Sequence, residues 1–119
     1  MVAGENRGTG DASDGVLRID VSAQTGWVIV AFAGDLDVVE SPAARSALDD
    51  AAARAAMGVI ADLSGLVFLG STGARTLLEA AAAARAAGRP LRFVQGTGPA
   101  RRLLQLLGLG DQLDVIDRG

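Results

Sequence analysis

The stretch from Trp27 to Ala33, Trp-Val-Ile-Val-Ala-Phe-Ala, contains no polar side chain except the indole N–H. A short run this apolar, rich in β-branched and aromatic residues, reads as a strand covered on both faces. Such a strand needs layers packed against it, and that requirement sets the α/β character expected of the chain. Just upstream, Val16 to Ala23 alternates in part, with Leu17, Ile19 and Val21 on one face and Arg18, Asp20 and Ser22 on the other. Gln24-Thr25-Gly26 separates the two runs by a short turn, so they are expected to form a hairpin.

Helix and strand signals then alternate. Gly34-Asp35-Leu36-Asp37 is expected to end the second strand. Ser41-Pro42 opens a helix, with Ser41 as N-cap and Pro42 at the first helical position, running to about Ala56. Ala44, Leu48, Ala51 and Ala55 form its inner stripe. Arg45 with Asp49, and Asp50 with Arg54, are spaced to pair on its outer side. Gly58 to Ala61 is a short third strand, and Asp62 to Gly65 leads into Leu66 to Leu69 as a connecting stretch. Gly70-Ser71-Thr72-Gly73 opens a second helix ending near Ala87, with Gly88 as its stop and Pro90 barring continuation. Leu91 to Gln95 is a fourth strand. Thr97-Gly98-Pro99 starts a third helix, with Leu103, Leu104 and Leu107 inward and Gly108 as its C-terminal cap. Leu113 to Ile116 is a final short strand. The order β-β-α-β-α-β-α-β implies a single α/β domain over residues 15–119, a mixed β-sheet with parallel crossovers and helices. Residues 1–14, polar and glycine-rich, read as a disordered tail.

Composition narrows the function more than the fold. Among 119 residues there is no cysteine, histidine, tyrosine or lysine, and all 11 basic residues are arginine. Disulfides, thiolate zinc sites, serine–histidine pairs, Schiff-base lysines and phosphate-loop lysines are therefore excluded. A metal site could draw only on carboxylates, hydroxyls and carbonyls, which leaves magnesium or calcium. This is a poor toolkit for an enzyme, and no catalytic residue and no cofactor are expected. A net charge of −3 argues against a nucleic-acid partner. No apolar run approaches the roughly 20 residues that span a bilayer, and the N-terminal segment lacks a secretory pattern. A cytoplasmic, monomeric protein with no membrane partner is the expectation.

Asp62-Leu63-Ser64, the apolar stretch Leu66 to Leu69, and Gly70-Ser71-Thr72-Gly73 leading into a leucine-containing helix together resemble the signature of the STAS family. Gly34-Asp35-Leu36-Asp37 is similar to the Gly-Glu/Asp-Leu-Asp stretch that follows the second strand in that family. The resemblance covers about residues 15–117 and lies with the bacterial anti-sigma factor antagonists. It implies a STAS-like fold and a protein that binds an anti-sigma factor with a kinase-type ATP-binding fold, freeing a sigma factor for transcription. The nucleotide would belong to that partner. It also implies a phosphorylated hydroxyl at Ser71, with Thr72 as the lesser candidate, and a phosphatase that reverses the modification. The contact face implied consists of Asp35, Asp37, Phe68, Gly70, Ser71, Thr72, Gly73 and Arg75. Position 70 departs from the pattern: the family carries an aspartate before the hydroxyl, and this chain carries glycine. That loss would loosen the turn and alter the field through which a kinase recognises Ser71.

Other readings of the same residues stand beside this one. Ser71 or Thr72 would serve equally as an N-cap. Asp35 and Asp37 could bind magnesium, act as an acid–base pair, or form a solvated turn. Gln95 to Arg102, glycine-rich with two arginines, could hold an anion or simply turn into a helix. At the level of function, the alternatives are a STAS-like regulatory or structural subunit of a membrane transport system, and a small ligand-binding or hydrolytic domain.

Overall fold

Leu17–Gln24 and Trp27–Leu36 (β1 and β2) are joined by Thr25 and Gly26, whose φ angles are 49° and 90°. Two successive positive φ values fit the type I′ turn, whose twist matches that of a two-stranded hairpin. The remaining elements are α1 (Ser41–Arg54), β3 (Gly58–Leu69), α2 (Ser71–Ala86), β4 (Leu91–Val94), α3 (Pro99–Leu106) and β5 (Asp114–Ile116). The computed structural model describes residues 16–106 and 114–116. The expected N-terminal tail, Leu107 and the Gly108 cap lie outside the described residues.

The strands form one five-stranded sheet in the order β1-β2-β3-β4-β5. β1 is antiparallel to β2, and every later pairing is parallel. The mixed sheet and the element order are those expected from the sequence. One face is fully buried. Val28, Val30, Phe32 and Leu36 of β2, Ala61 and Leu63 of β3 and Phe93 of β4 pack with Ala44, Leu48 and Ala51 of α1, Leu77 of α2 and Leu104 of α3. The alanines of α1 let that helix lie close to the sheet, as its inner stripe requires.

Four expectations are corrected. β2 is not sealed on both faces: Trp27, Ile29, Ala31 and Ala33 are only half-buried, in strict alternation with the core residues. The indole of Trp27 instead carries the Arg92 guanidinium 5.0 Å above its ring. β2 also continues through Gly34 and Asp35 to Leu36. Ser41 is the first helical residue of α1 and not its N-cap, because Glu40 already has helical torsions (φ −87°, ψ −14°). The Ser41 hydroxyl donates backwards, to the Asp37 carbonyl at 2.7 Å.

The fourth correction concerns β3, which runs for 12 residues instead of stopping at Ala61. Its pairing with β2 slips twice: Ala31 faces Asp62 but Ala33 faces Gly65, and Gly34 faces Leu66 but Asp35 faces Phe68. Each slip inserts one extra residue into β3, which is the geometry of a bulge. The bulges turn Leu63, Leu66 and Leu69 inward at three-residue intervals.

The helix ends follow the sequence more closely. Gly88 and Arg89 donate their N–H groups to the Arg85 and Ala84 carbonyls at 3.1 and 2.9 Å, closing α2 with a Schellman motif. Arg45 and Asp49 pair at 3.2 Å on the outside of α1, whereas the Asp50–Arg54 pair does not form. Among the described residues, no helix is long and apolar enough to cross a membrane.

Candidate functional site

The residues singled out in the sequence converge where β2 and β3 end and α1 and α2 begin. Register brings Asp35 of β2 opposite Phe68 of β3 and Leu36 opposite Leu69. The chain leaves β2 through a turn that fastens itself. The Asp37 N–H donates to Glu40 Oε1 at 3.2 Å, and the Asp37 carbonyl accepts from both the N–H and the hydroxyl of Ser41, at 3.0 and 2.7 Å. The two residues inside this turn, Val38 and Val39, cannot reach the core and stand 62% and 84% exposed.

The start of α2 is docked on the same strand end. Gly70 is the N-cap, extended at φ −83° and ψ 169°, and its N–H donates to the Leu36 carbonyl at 3.0 Å. A β-carbon at Gly73 would stand 2.6 Å from the Leu36 carbonyl oxygen, so only glycine allows this close approach. A β-carbon at Gly70 would overlap the carboxylate of Asp37. The turn at position 70 is therefore buried and tied down, not loosened as the missing side chain led one to expect.

Ser71 follows as the first helical residue and is exposed. Neither Ser71 nor Thr72 caps α2: no side chain hydrogen-bonds the helix mouth. Thr72 is half-buried, and its carbonyl accepts the Thr76 hydroxyl at 3.1 Å. Arg75, one turn beyond Ser71 and on the same side, is exposed. The outer surface thus consists of Ser71, Arg75 and Phe68, the last 47% exposed, beside Val38, Val39 and Val67. Gly70 and Gly73 are buried beneath it, and Asp35 and Asp37 are half-buried at its edge. The three valines escaped the sequence reading. For Val38 and Val39 the only signal is two β-branched residues between an aspartate and a helix start, where a loop has no periodicity from which to read exposure, and Val67 is the extra residue of the second bulge of β3, where strand alternation fails.

Chemically, the arrangement offers a free hydroxyl at the positive end of a 16-residue helix, with exposed apolar side chains on the two segments that lead into that end of the domain. The first N–H groups of α2 have no intrahelical acceptor and would tolerate an anion there. The magnesium reading of Asp35 and Asp37 gains nothing, since no group of three or more acidic residues converges among the described residues. Arg101 and Arg102 stand in the first turn of α3 and are exposed. A cleft of about 360 Å³ between the C-terminal halves of α1 and α2 is walled mainly by alanines such as Ala52, Ala80 and Ala84. It centres roughly 18 Å along α2 from Ser71 and bears on a different end of the domain.

Comparison with known proteins agrees with the fold. A crystal structure of an anti-sigma factor antagonist from Mycobacterium paratuberculosis is similar at 29% identity and a TM-score of 0.70, over 84% of this chain and 85% of that one. The phosphorylated form of the Bacillus cell fate determinant SpoIIAA shares the fold at 19% identity and a TM-score of 0.64, over 86% and 92% of the two chains. So does part of the murine anion transporter Slc26a9, at 16% identity and a TM-score of 0.66, over 82% of this chain and 17% of the transporter. No curated protein matches the sequence. The STAS domain model matches residues 18–118, nearly the whole length, and the chain belongs to the STAS domain family.

Proposed function

We propose that this protein is an anti-sigma factor antagonist. It binds an anti-sigma factor of the serine-kinase type through the surface around Ser71 and so releases a sigma factor. It acts by binding and not by catalysis. The observation that carries the reading is the exposed Ser71 hydroxyl at the mouth of α2, set among exposed Phe68, Val38 and Val39. The similarity to the mycobacterial antagonist supports it.

Phosphate on Ser71 is the switch in this reading. It would add a charge of about −1.5 to −2 at pH 7. The helix mouth accommodates that charge in the free protein, so the fold survives. In a complex the same charge would be buried against an apolar rim, at a cost on the order of 2–5 kcal/mol. At about 1.4 kcal/mol per decade, affinity falls by roughly 30-fold to several thousand-fold, enough to part a modest complex. Phe68, Ser71, Thr72, Arg75 and the turn from Asp37 form the contact face, with Asp35, Gly70 and Gly73 holding it in shape.

Co-purification with candidate anti-sigma kinases, followed by mass spectrometry of the tryptic peptide ending at Arg75, tests the proposal. Capture of a kinase-fold anti-sigma factor and phosphate on Ser71 are expected. Capture of a transport ATPase instead, with no anti-sigma factor bound, would overturn it.

A further inference from the structure

β1 is the terminal strand of the sheet, and among the described residues nothing pairs with its outer edge. That edge is long and regular: pairing with β2 runs unbroken over all eight residues, with no bulge and no proline. Edge strands usually carry such devices, because a row of unpaired N–H and C=O groups is a template for another strand. The phase of the edge follows from one bond. The Asp35 N–H donates to the Val16 carbonyl at 3.3 Å, so Val16, and with it Arg18, Asp20 and Ser22, turns its backbone groups toward β2. Leu17, Ile19 and Val21 therefore aim theirs outward. An incoming antiparallel strand must meet these three with outward-facing residues of its own.

A second copy of β1 satisfies that condition when the two strands are centred on Ile19. Leu17 then faces Val21 of the partner subunit, and Arg18 faces Asp20 of the partner subunit, each pairing occurring twice. Centring on Arg18 or on Asp20 instead would set a charge against its own copy, which destabilises a sheet. Both side chains are exposed, and neither has an ion pair or hydrogen bond among the described residues. We propose that β1 is the interface through which two copies of this chain join, antiparallel and edge to edge, into one continuous sheet about a two-fold axis at Ile19. Specificity lies in the reciprocal Arg18–Asp20 pairs, at the non-hydrogen-bonded positions where side chains approach most closely. One strand from each copy makes a contact at the small end of specific interfaces, so the dimer forms reversibly with concentration. The proposal is independent of the antagonist reading, since β1 contributes nothing to the Ser71 face.

Sedimentation velocity of the full chain from about 10 μM to about 1 mM tests this, with Arg18→Asp, Asp20→Arg and their equimolar mixture beside wild type. Wild type should pass from monomer to dimer over that range. Each single variant sets like charges opposite each other twice and should dimerise at least about tenfold more weakly. The mixture should recover association to within about threefold of wild type, because each variant meets the opposite charge in the other. The double variant Arg18→Asp/Asp20→Arg restores the pairs with their signs reversed and should dimerise like wild type. Both positions are exposed, so every variant should melt close to wild type. A wild type that stays monomeric throughout, the state expected from the sequence, overturns the proposal. So does a dimer that both single variants leave intact, or a pair of variants whose mixture stays apart.

Discussion

Ser64 donates both its hydroxyl and its backbone N–H to the same carboxylate oxygen of Asp62, at 2.6 and 3.0 Å. This clasp lies where β3 takes its first extra residue, between the pairings of Asp62 with Ala31 and of Gly65 with Ala33. An aspartate that accepts from the residue two positions on gives the backbone a partner in place of the ladder bond that a bulge forgoes. Asp62→Ala should destabilise the domain by about 1 kcal/mol, since the clasp is exposed to solvent. On a domain of this size that is a fall of about 4–8 °C in melting temperature, readable by calorimetry. Asp62→Asn, which keeps an acceptor, should recover part of it.

Gly73→Ala sets two effects against each other. Alanine improves helix propensity by up to about 1 kcal/mol. Its β-carbon, however, would stand 2.6 Å from the Leu36 carbonyl and 2.9 Å from Leu36 Cγ. A backbone carbonyl cannot swing aside, so the overpacking cost of about 1–3 kcal/mol should win. Urea denaturation should show a lower midpoint with an unchanged slope.

Ser71→Ala and Ser71→Asp separate stability from function. Ser71 is exposed and its hydroxyl bonds nothing among the described residues, so both variants should stay within about 0.5 kcal/mol of wild type. Binding to the captured anti-sigma factor, measured by calorimetry, should persist in Ser71→Ala. In Ser71→Asp it should weaken about tenfold or more. Equal affinity in the two variants would remove Ser71 from the interface.

Val39 is 84% exposed and contributes little to the core. Val39→Asp should therefore leave the melting temperature nearly unchanged while reducing partner affinity about tenfold or more, as a charge does at the apolar centre of a contact. Val39→Thr, similar in shape, should lose less. Unaltered affinity in Val39→Asp would place the partner elsewhere on the domain.

Some elements were legible because one period governs them. The β1–β2 hairpin, α1 and the Gly88 end of α2 follow from alternation, a three-to-four spacing and turn chemistry. β3 was not legible beyond Ala61. Its bulges space Leu63, Leu66 and Leu69 three apart, an interval that belongs to no regular strand, so the run reads as a connection. Ser41 was misplaced by one residue because its hydroxyl satisfies a carbonyl behind it and not the N–H groups ahead. At the site, the motif located Ser71. The contact between Asp37 and Gly70 joins distant positions, and neither residue carries any mark of the other in the chain.

Trp27, the one tryptophan, stands at the start of β2 beneath the Arg92 guanidinium, eight residues before Asp35. At about 3.3 Å per residue that is roughly 26 Å from the Ser71 end of the strand. Its emission is consequently an optical gauge of whether the sheet is intact, and it should hold steady while the far end gains a phosphate or a partner. Unfolding and recognition can thus be followed in one cuvette by separate signals.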